Sequence, residues 1–312
     1  AMIGPVFGGL FVTYWSWRAV FFVNVPIGIV VIALAWRYVP HDRPKAKQAR
    51  VPMDAVGMAL LGVGLLAGML AVSYLGEPGA QPSSLSFVAP GLVAIAATWR
   101  FFQHVERTAH PFIAPRLIHG RGFGAVNLVN TLYGGVTTGI MVLVPLYATN
   151  RYGIDALGAA TLLIAQGAAA ILFSVLAALL LRRTGHRLPL YAGGIAITTG
   201  MLLLAVAPVA GVPPYAWLAG AAFVVGAGRG SINPASRNAG LQLAPEHSSI
   251  LAALRTASLQ VGSISTVSVV TAILASAAAP GDVQARVYAI AAVLLVAALP
   301  LIRRVPEHHG SW

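Results

Sequence analysis

Residues 156–181 read ALGAATLLIAQGAAAILFSVLAALLL, a stretch without a single charge and with one amide, Gln166. A bilayer core about 30 Å thick takes roughly 20 apolar residues per helix. A membrane β-strand would instead alternate strictly over about ten residues, and Ala168 to Leu181 do not alternate. This stretch therefore reads as a spanning helix. Comparable runs lie near 21–39, 54–75, 85–103, 122–148, 188–208, 215–236, 249–278 and 287–302, with a partial run at 2–13. Together they predict an all-α polytopic membrane protein of about ten helices, the first one partial. Composition agrees. Of 312 residues, 58% are hydrophobic and only 9% are charged, against about 25% charged in a soluble domain. A cytosolic globular enzyme, a disordered chain and a disulfide scaffold are excluded. Without cysteine, thiolate chemistry and zinc–cysteine sites are excluded too.

The connections are short and carry breakers: Pro40, Pro44 and Pro52, then Pro78 and Pro82, Pro111 and Pro115, Pro213 and Pro214, and Pro280. Only His41–Pro52 and His104–Gly120 exceed a tight turn, and neither can bury a core. The net charge of +12 is distributed by side. One set of loops holds Arg43, Lys45, Lys47 and Arg50; Arg107, Arg116 and Arg121; Arg182, Arg183 and Arg187; Arg237; Arg303 and Arg304. The alternate set holds only Arg18, Arg151 and Arg286. Positive loops stay cytoplasmic, so a multi-pass cell (inner) membrane protein with a cytoplasmic C-terminus is expected. The basic balance is a topology signal, and no nucleic-acid partner is implied.

The N-terminal stretch is the most specific. It reads Gly4-Pro5-x-x-Gly8-Gly9, then Trp17-Arg18-x-x-Phe21-x-x-Asn24-x-Pro26-x-Gly28. Gly4, Gly8 and Gly9 leave one helix face bare, so another helix can approach it closely. Pro5 removes a backbone hydrogen bond and bends the helix. The glycines alone fit ordinary packing as well as a rocking interface. The whole string resembles the antiporter motif of drug–proton antiporters of the major facilitator superfamily, in its fourteen-span, multidrug-exporter branch. The resemblance continues along the chain. Pro111-x-x-x-Pro115-Arg116-Leu117 looks like the lead-in to the second half. Leu143-Val144-Pro145-Leu146-Tyr147 looks like the end of that half's first helix. Arg182-Arg183-Thr184-Gly185-His186-Arg187 looks like a degraded D-R-x-G-x-R loop. The turn Gly226-Ala227-Gly228-Arg229-Gly230, with Pro234 after it, resembles the second half's G-x-G-x-G helix.

The resemblance implies the following organisation. Residues 1–39 are the last two helices of an N-terminal bundle, and 40–121 are a two-helix insertion with cytoplasmic linkers. Residues 122–302 are a six-helix C-terminal bundle, and 303–312 a cytoplasmic tail. Ala1 reads as an internal cut midway along a helix, with the family's first four helices missing. Two departures stand out. Arg182 occupies the place of the loop's usual Asp, which puts a lock made by that acid in doubt, and Arg229 replaces a small residue.

Intramembrane charge is costly and marks function. The acids Asp42, Asp54, Glu77, Glu106, Asp155, Glu246, Asp282 and Glu307 all fall in loops or at helix ends, and no His lies mid-span. A proton-coupling carboxylate is therefore not evident, and the resemblance places such acids in the missing helices. Arg229 and Arg255 are read as lying within about two turns of the cytoplasmic end. Snorkelling anchors and a gate or contact to anionic substrate are both open for them. With Arg182 and Arg183 they are the gating candidates.

Uncharged polar residues are the cavity candidates. Asn127, Thr131, Gly134 and Thr138 follow i, i+4, i+7, i+11 on one helix face, flanked by Asn130 and Thr137. Thr256, Gln260 and Ser263 share another face, and Gln166 stands alone. An amide facing lipid leaves polar groups unsatisfied, so these residues should point inward. They serve either as interhelical hydrogen bonds or as a cavity wall. Met141, Tyr133 and Phe173 offer packing, or an adaptable surface for an apolar or cationic guest. No catalytic, cofactor-binding or metal site is expected. The Ser-rich stretch has no His base, and H-E-x-x-H and phosphate-loop patterns are absent. The predicted function is the C-terminal part of a proton-coupled exporter of small amphipathic or cationic compounds, such as drugs and antibiotics, by alternating access. Its partners would be a small-molecule substrate, protons, the lipid bilayer and the missing helices. The alternatives are a non-transporting remnant or scaffold, or the same fold exporting a metabolite.

Overall fold

The computed structural model describes residues 18–38, 54–77, 79–109, 111–120, 122–275 and 277–307. Gly4, Pro5, Gly8 and Gly9 lie outside the described residues. Every regular element among those described is helical. In chain order they are α1 (Ala19–Tyr38), α2 (Ala55–Tyr74), α3 (Leu85–Arg107) and the short α4 (Pro115–His119). Helix α5 runs Phe123–Val129, passes through a π-helical segment Asn130–Val136, and ends as Thr137–Val142. Then come α6 (Val144–Tyr152), α7 (Ala156–Thr184), α8 (Arg187–Ala205), α9 (Pro214–Leu243), α10 (Ser248–Ala275) and α11 (Pro280–Ala298), the last continued by a 3₁₀ turn, Leu299–Arg304.

Among the described residues seven helices are long and apolar enough to cross a bilayer. The pair α5–α6, bent by 43°, makes an eighth. The bend has a local cause, since Pro145 cannot donate to the preceding turn and ends α5 there. Helix α9 has the length, at 30 residues, but Arg229, Asn233, Arg237 and Asn238 dilute its apolar character. Its buried side chains and glycines place it inside the bundle, between α7 and α8.

Gly226–Gly230 lies within a continuous helix, in the middle of α9. Two boundaries differ in ways that move charged residues. Helix α9 runs past the expected end at 236 and takes Arg237 out of the loops. Helix α11 begins at Pro280, not 287, so Arg286 is helical as well. Proline at the first helical position and Asp282 in the first turn are the signals that mark this start.

Glycine sets the distances between the central helices. A Cβ on Gly228 would sit 2.5 Å from the carbonyl oxygen of Gly193 on α8. On the other side of α9, Gly226 and Gly230 lie against the α7 backbone at Gln166 and Ala170. A Cβ on Gly135 of α5 would come 2.8 Å from Cα of Gly262 on α10. Without a hydrophobic force between helices in lipid, such close backbone packing is what holds a bundle together.

One polar joint anchors the pair α2–α3. Asp54 caps α2 by accepting from Gly57 N–H at 2.8 Å. It also accepts from Phe112 N–H at 3.0 Å and pairs with His104 Nε2 at 2.7 Å. Hydrogen bonds from the Phe112 and Gly57 amides, with a further contribution from His104, hold its carboxyl below the ordinary carboxylate value. A depressed acid stabilises above its unfolded pKa, and the stabilisation is lost as pH falls through the folded value. Asp54→Asn is therefore expected to lower the melting temperature of the detergent-solubilised chain at pH 7, at a cost of about 1 kcal/mol. The gap between the variant and the native chain should close below pH 4. A gap that persists unchanged in acid would refute the assignment.

Candidate functional site

Helices α5, α7, α9 and α10 line an open cavity of about 780 Å³. From α5 come Asn130, Tyr133, Gly134, Thr138 and Met141; from α7, Gln166 and Ser174; from α9, Arg229, Asn233 and Ser236; from α10, Arg255 and Leu259. The wall is apolar on one side, through Val142, Leu163, Ile171 and Val175, and polar on the other.

The π-helical segment decides which α5 residues take part. Its wider i→i+5 turn breaks the regular helical stripe that the sequence implies. Asn130 faces the cavity in place of Thr131, and Asn127 is carried away from it. Asn127 Nδ2 instead donates to the carbonyls of Leu117 and Ile118, at 3.4 and 3.2 Å, tying α5 to α4. Thr131 donates to Asn127 O within its own helix. Tyr133 is buried and lines the cavity, and its hydroxyl donates to Leu295 O of α11.

Arg229 lies fourteen residues before Leu243, the end of α9, about 21 Å along the helix at 1.5 Å per residue. Its Nη2 donates to Thr138 Oγ1 at 2.9 Å. Thr138 in turn donates to Gly134 O at 2.6 Å, so its oxygen is free to accept. Arg255, two turns into α10, donates to Asn233 Oδ1 at 2.7 Å. Both guanidinium groups thus rest on neutral acceptors. Among the described residues neither lies within ion-pair distance of a carboxylate.

The remaining candidates fall elsewhere. Gln260 and Thr256 are exposed on α10 outside the cavity. Phe173 meets Phe223 edge-on, with ring centroids 6.5 Å apart. Arg182 and Arg183 are exposed at the end of α7. An acid does reach that loop, but from the far end of the chain. Glu307 accepts from the His186 and Arg187 amides at 2.7 and 3.3 Å and pairs with the Arg187 guanidinium at 3.5 Å. It caps the α8 N-terminus, where a negative charge is favourable. Sequence reading also missed a buried cluster at the opposite end. Gln284 donates to Leu143 O at the α5–α6 bend and to the Tyr288 hydroxyl, both at 2.8 Å. Tyr147 meets Tyr288 edge-on at 4.9 Å. The Arg151 guanidinium donates to the Tyr147 hydroxyl and lies 3.7 Å from Asp282.

Comparison with known proteins agrees with this architecture. The profile of the Major Facilitator Superfamily matches residues 1–267 and 126–311. A Multidrug resistance protein B homolog of Mycobacterium tuberculosis is 28% identical over 199 residues, 64% of this chain and 36% of that protein. The Methylenomycin A resistance protein of Streptomyces coelicolor is 25% identical over 271 residues, 84% of this chain and 54% of that protein. The Cephamycin export protein CmcT of Amycolatopsis lactamdurans is 40% identical over 134 residues, 42% of this chain and 26% of that protein. The chain spans between about a quarter and about a half of the length of these relatives. A multi-pass helical membrane protein matched over nearly its whole length by this profile, the chain belongs to the Major Facilitator Superfamily, a family of transporters and not of enzymes.

Proposed function

We propose that the chain supplies the second-bundle half of a proton-coupled exporter of small amphipathic compounds that works by alternating access. The observation that carries this reading is the cavity: polar groups from four helices converge on a space of about 780 Å³. Amides and hydroxyls there serve a guest that leaves water, and the apolar wall serves its body. The relatives named for resistance and export support the same class. In this reading residues 122–302 form the moving bundle and 40–121 the two-helix insertion, with 1–39 closing the preceding bundle and 303–312 as tail. Gly4, Pro5, Gly8 and Gly9 lie at the rocking interface. The basic connections face the cytoplasm of an inner-membrane protein.

One observation favours a second reading, a membrane scaffold without transport of its own. Among the described residues no acid lines the cavity, and proton relays use intramembrane Asp, Glu or His. Proteoliposomes separate the two. Reconstituted together with the first-bundle helices that this reading requires, the chain is expected to export a dye against its gradient under an imposed pH gradient. No export from that folded pair leaves the scaffold. Reporter fusions at Lys47 and Gly79 should report opposite sides of the membrane, and the same side for both would overturn the proposed topology.

A further inference from the structure

We infer that the cavity selects amphipathic carboxylates over cations, by presenting two arginines to the head of the guest and an apolar wall to its body. This deepens the exporter reading and rests on the cavity being its substrate site. Arg229 lies near the middle of the 30-residue α9, packed inside the bundle, and an unneutralised charge within a membrane domain costs a few kcal/mol. The usual resolution is an internal carboxylate. Among the described residues Arg229 finds the hydroxyl of Thr138 and Arg255 the amide oxygen of Asn233, both neutral. Arg237 on the same side adds a further repelling positive charge near Arg255. Each guanidinium has five N–H donors in a planar fork and spends few of them on protein. Arg255 Nε is buried and has no acceptor among the described residues.

A cation entering this space meets like charge from both arginines. A carboxylate meets two forks that match its oxygens, and charge-assisted bonds of this kind are the strong ones. The hydroxyls and amides already present do not discriminate between anion and cation, so the sign of selectivity comes from the arginines. Met141, Leu163, Val175 and Leu259 line the same space and take the apolar part of the molecule. This distinguishes an amphipathic acid from a small inorganic anion.

The test uses the purified full chain in detergent and three fluorescent probes that share one apolar body: dansylglycine, an anion; dansylcadaverine, a cation; and dansylamide, neutral. Dansylglycine is expected to bind roughly tenfold or more tighter than dansylcadaverine. The double variant Arg229→Gln/Arg255→Gln should lose that preference while dansylamide binding stays within about twofold. Should the double variant fail to fold, Arg255→Gln alone, nearer the helix end, should weaken dansylglycine by at least about threefold with an unchanged melting temperature. Equal or tighter binding of the cation, no binding of any probe, or a preference that survives in a folded variant overturns the inference. The titration needs no gradient. If the chain ranks the probes in this order but fails to export when joined by the first-bundle helices, only the exporter reading is sunk; if that pair exports the cation preferentially, only this inference is sunk.

Discussion

Gly226→Val is expected to abolish the folded bundle, with the chain recovered as aggregate in size-exclusion chromatography and no cooperative melt. The added Cβ would overlap the carbonyl group of Gln166, and the atoms it meets are backbone. A crowded side chain can change rotamer at a cost of about 1–3 kcal/mol. A helix backbone must move as a body, and α7 is held by α9 along much of its length through Gly226 and Gly230. The loss should therefore exceed about 3 kcal/mol, a large share of the stability of a domain. Gly220 provides the control. It lies on the same helix, and nothing stands within 4 Å of the position its Cβ would take. Gly220→Val should express and melt like the native chain. If both variants behave alike, close approach of α7 and α9 is not what holds the bundle, and the placement of Arg229 on the cavity wall loses its support.

Most spans are legible in the sequence because a bilayer demands about 20 apolar residues in a row, and runs such as 156–181 leave no other reading. The end of α9 is not legible in the same way. Arg237 and Asn238 look like loop residues, and only the packing of Ser236 and Ala239 inside the bundle shows that the helix continues. In the cavity wall, Gln166 and Thr138 follow from the rule that membrane amides and hydroxyls turn inward, but Asn130 replaces Thr131 because helical counting assumes a regular turn and the π-helical segment is irregular. The pairs Asp54–His104 and Glu307–Arg187 join residues 50 and 120 positions apart. Neither leaves a periodic trace, so neither could be read from local pattern.

Thr138→Asp is expected to raise the thermal stability of the chain while weakening dansylglycine binding by roughly tenfold or more. The Thr138 oxygen lies 2.9 Å from Arg229 Nη2, so a carboxylate at that position meets the guanidinium directly and neutralises it. Removing the uncompensated charge from the middle of α9 relieves a desolvation cost, and the lost Thr138–Gly134 bond offsets only part of the gain. The same neutralisation occupies the donors that a substrate carboxylate would use and returns the cavity at that point to zero net charge. Opposite signs for stability and binding are the mark of a charge kept unpaired for function. A purely structural Arg229 would gain in stability with no change in the ranking of the three probes. A variant that loses stability along with binding would mean that Arg229 already has a partner at that point, one that the acid displaces. The arginine would then belong to the scaffold of the cavity and not to its recognition surface.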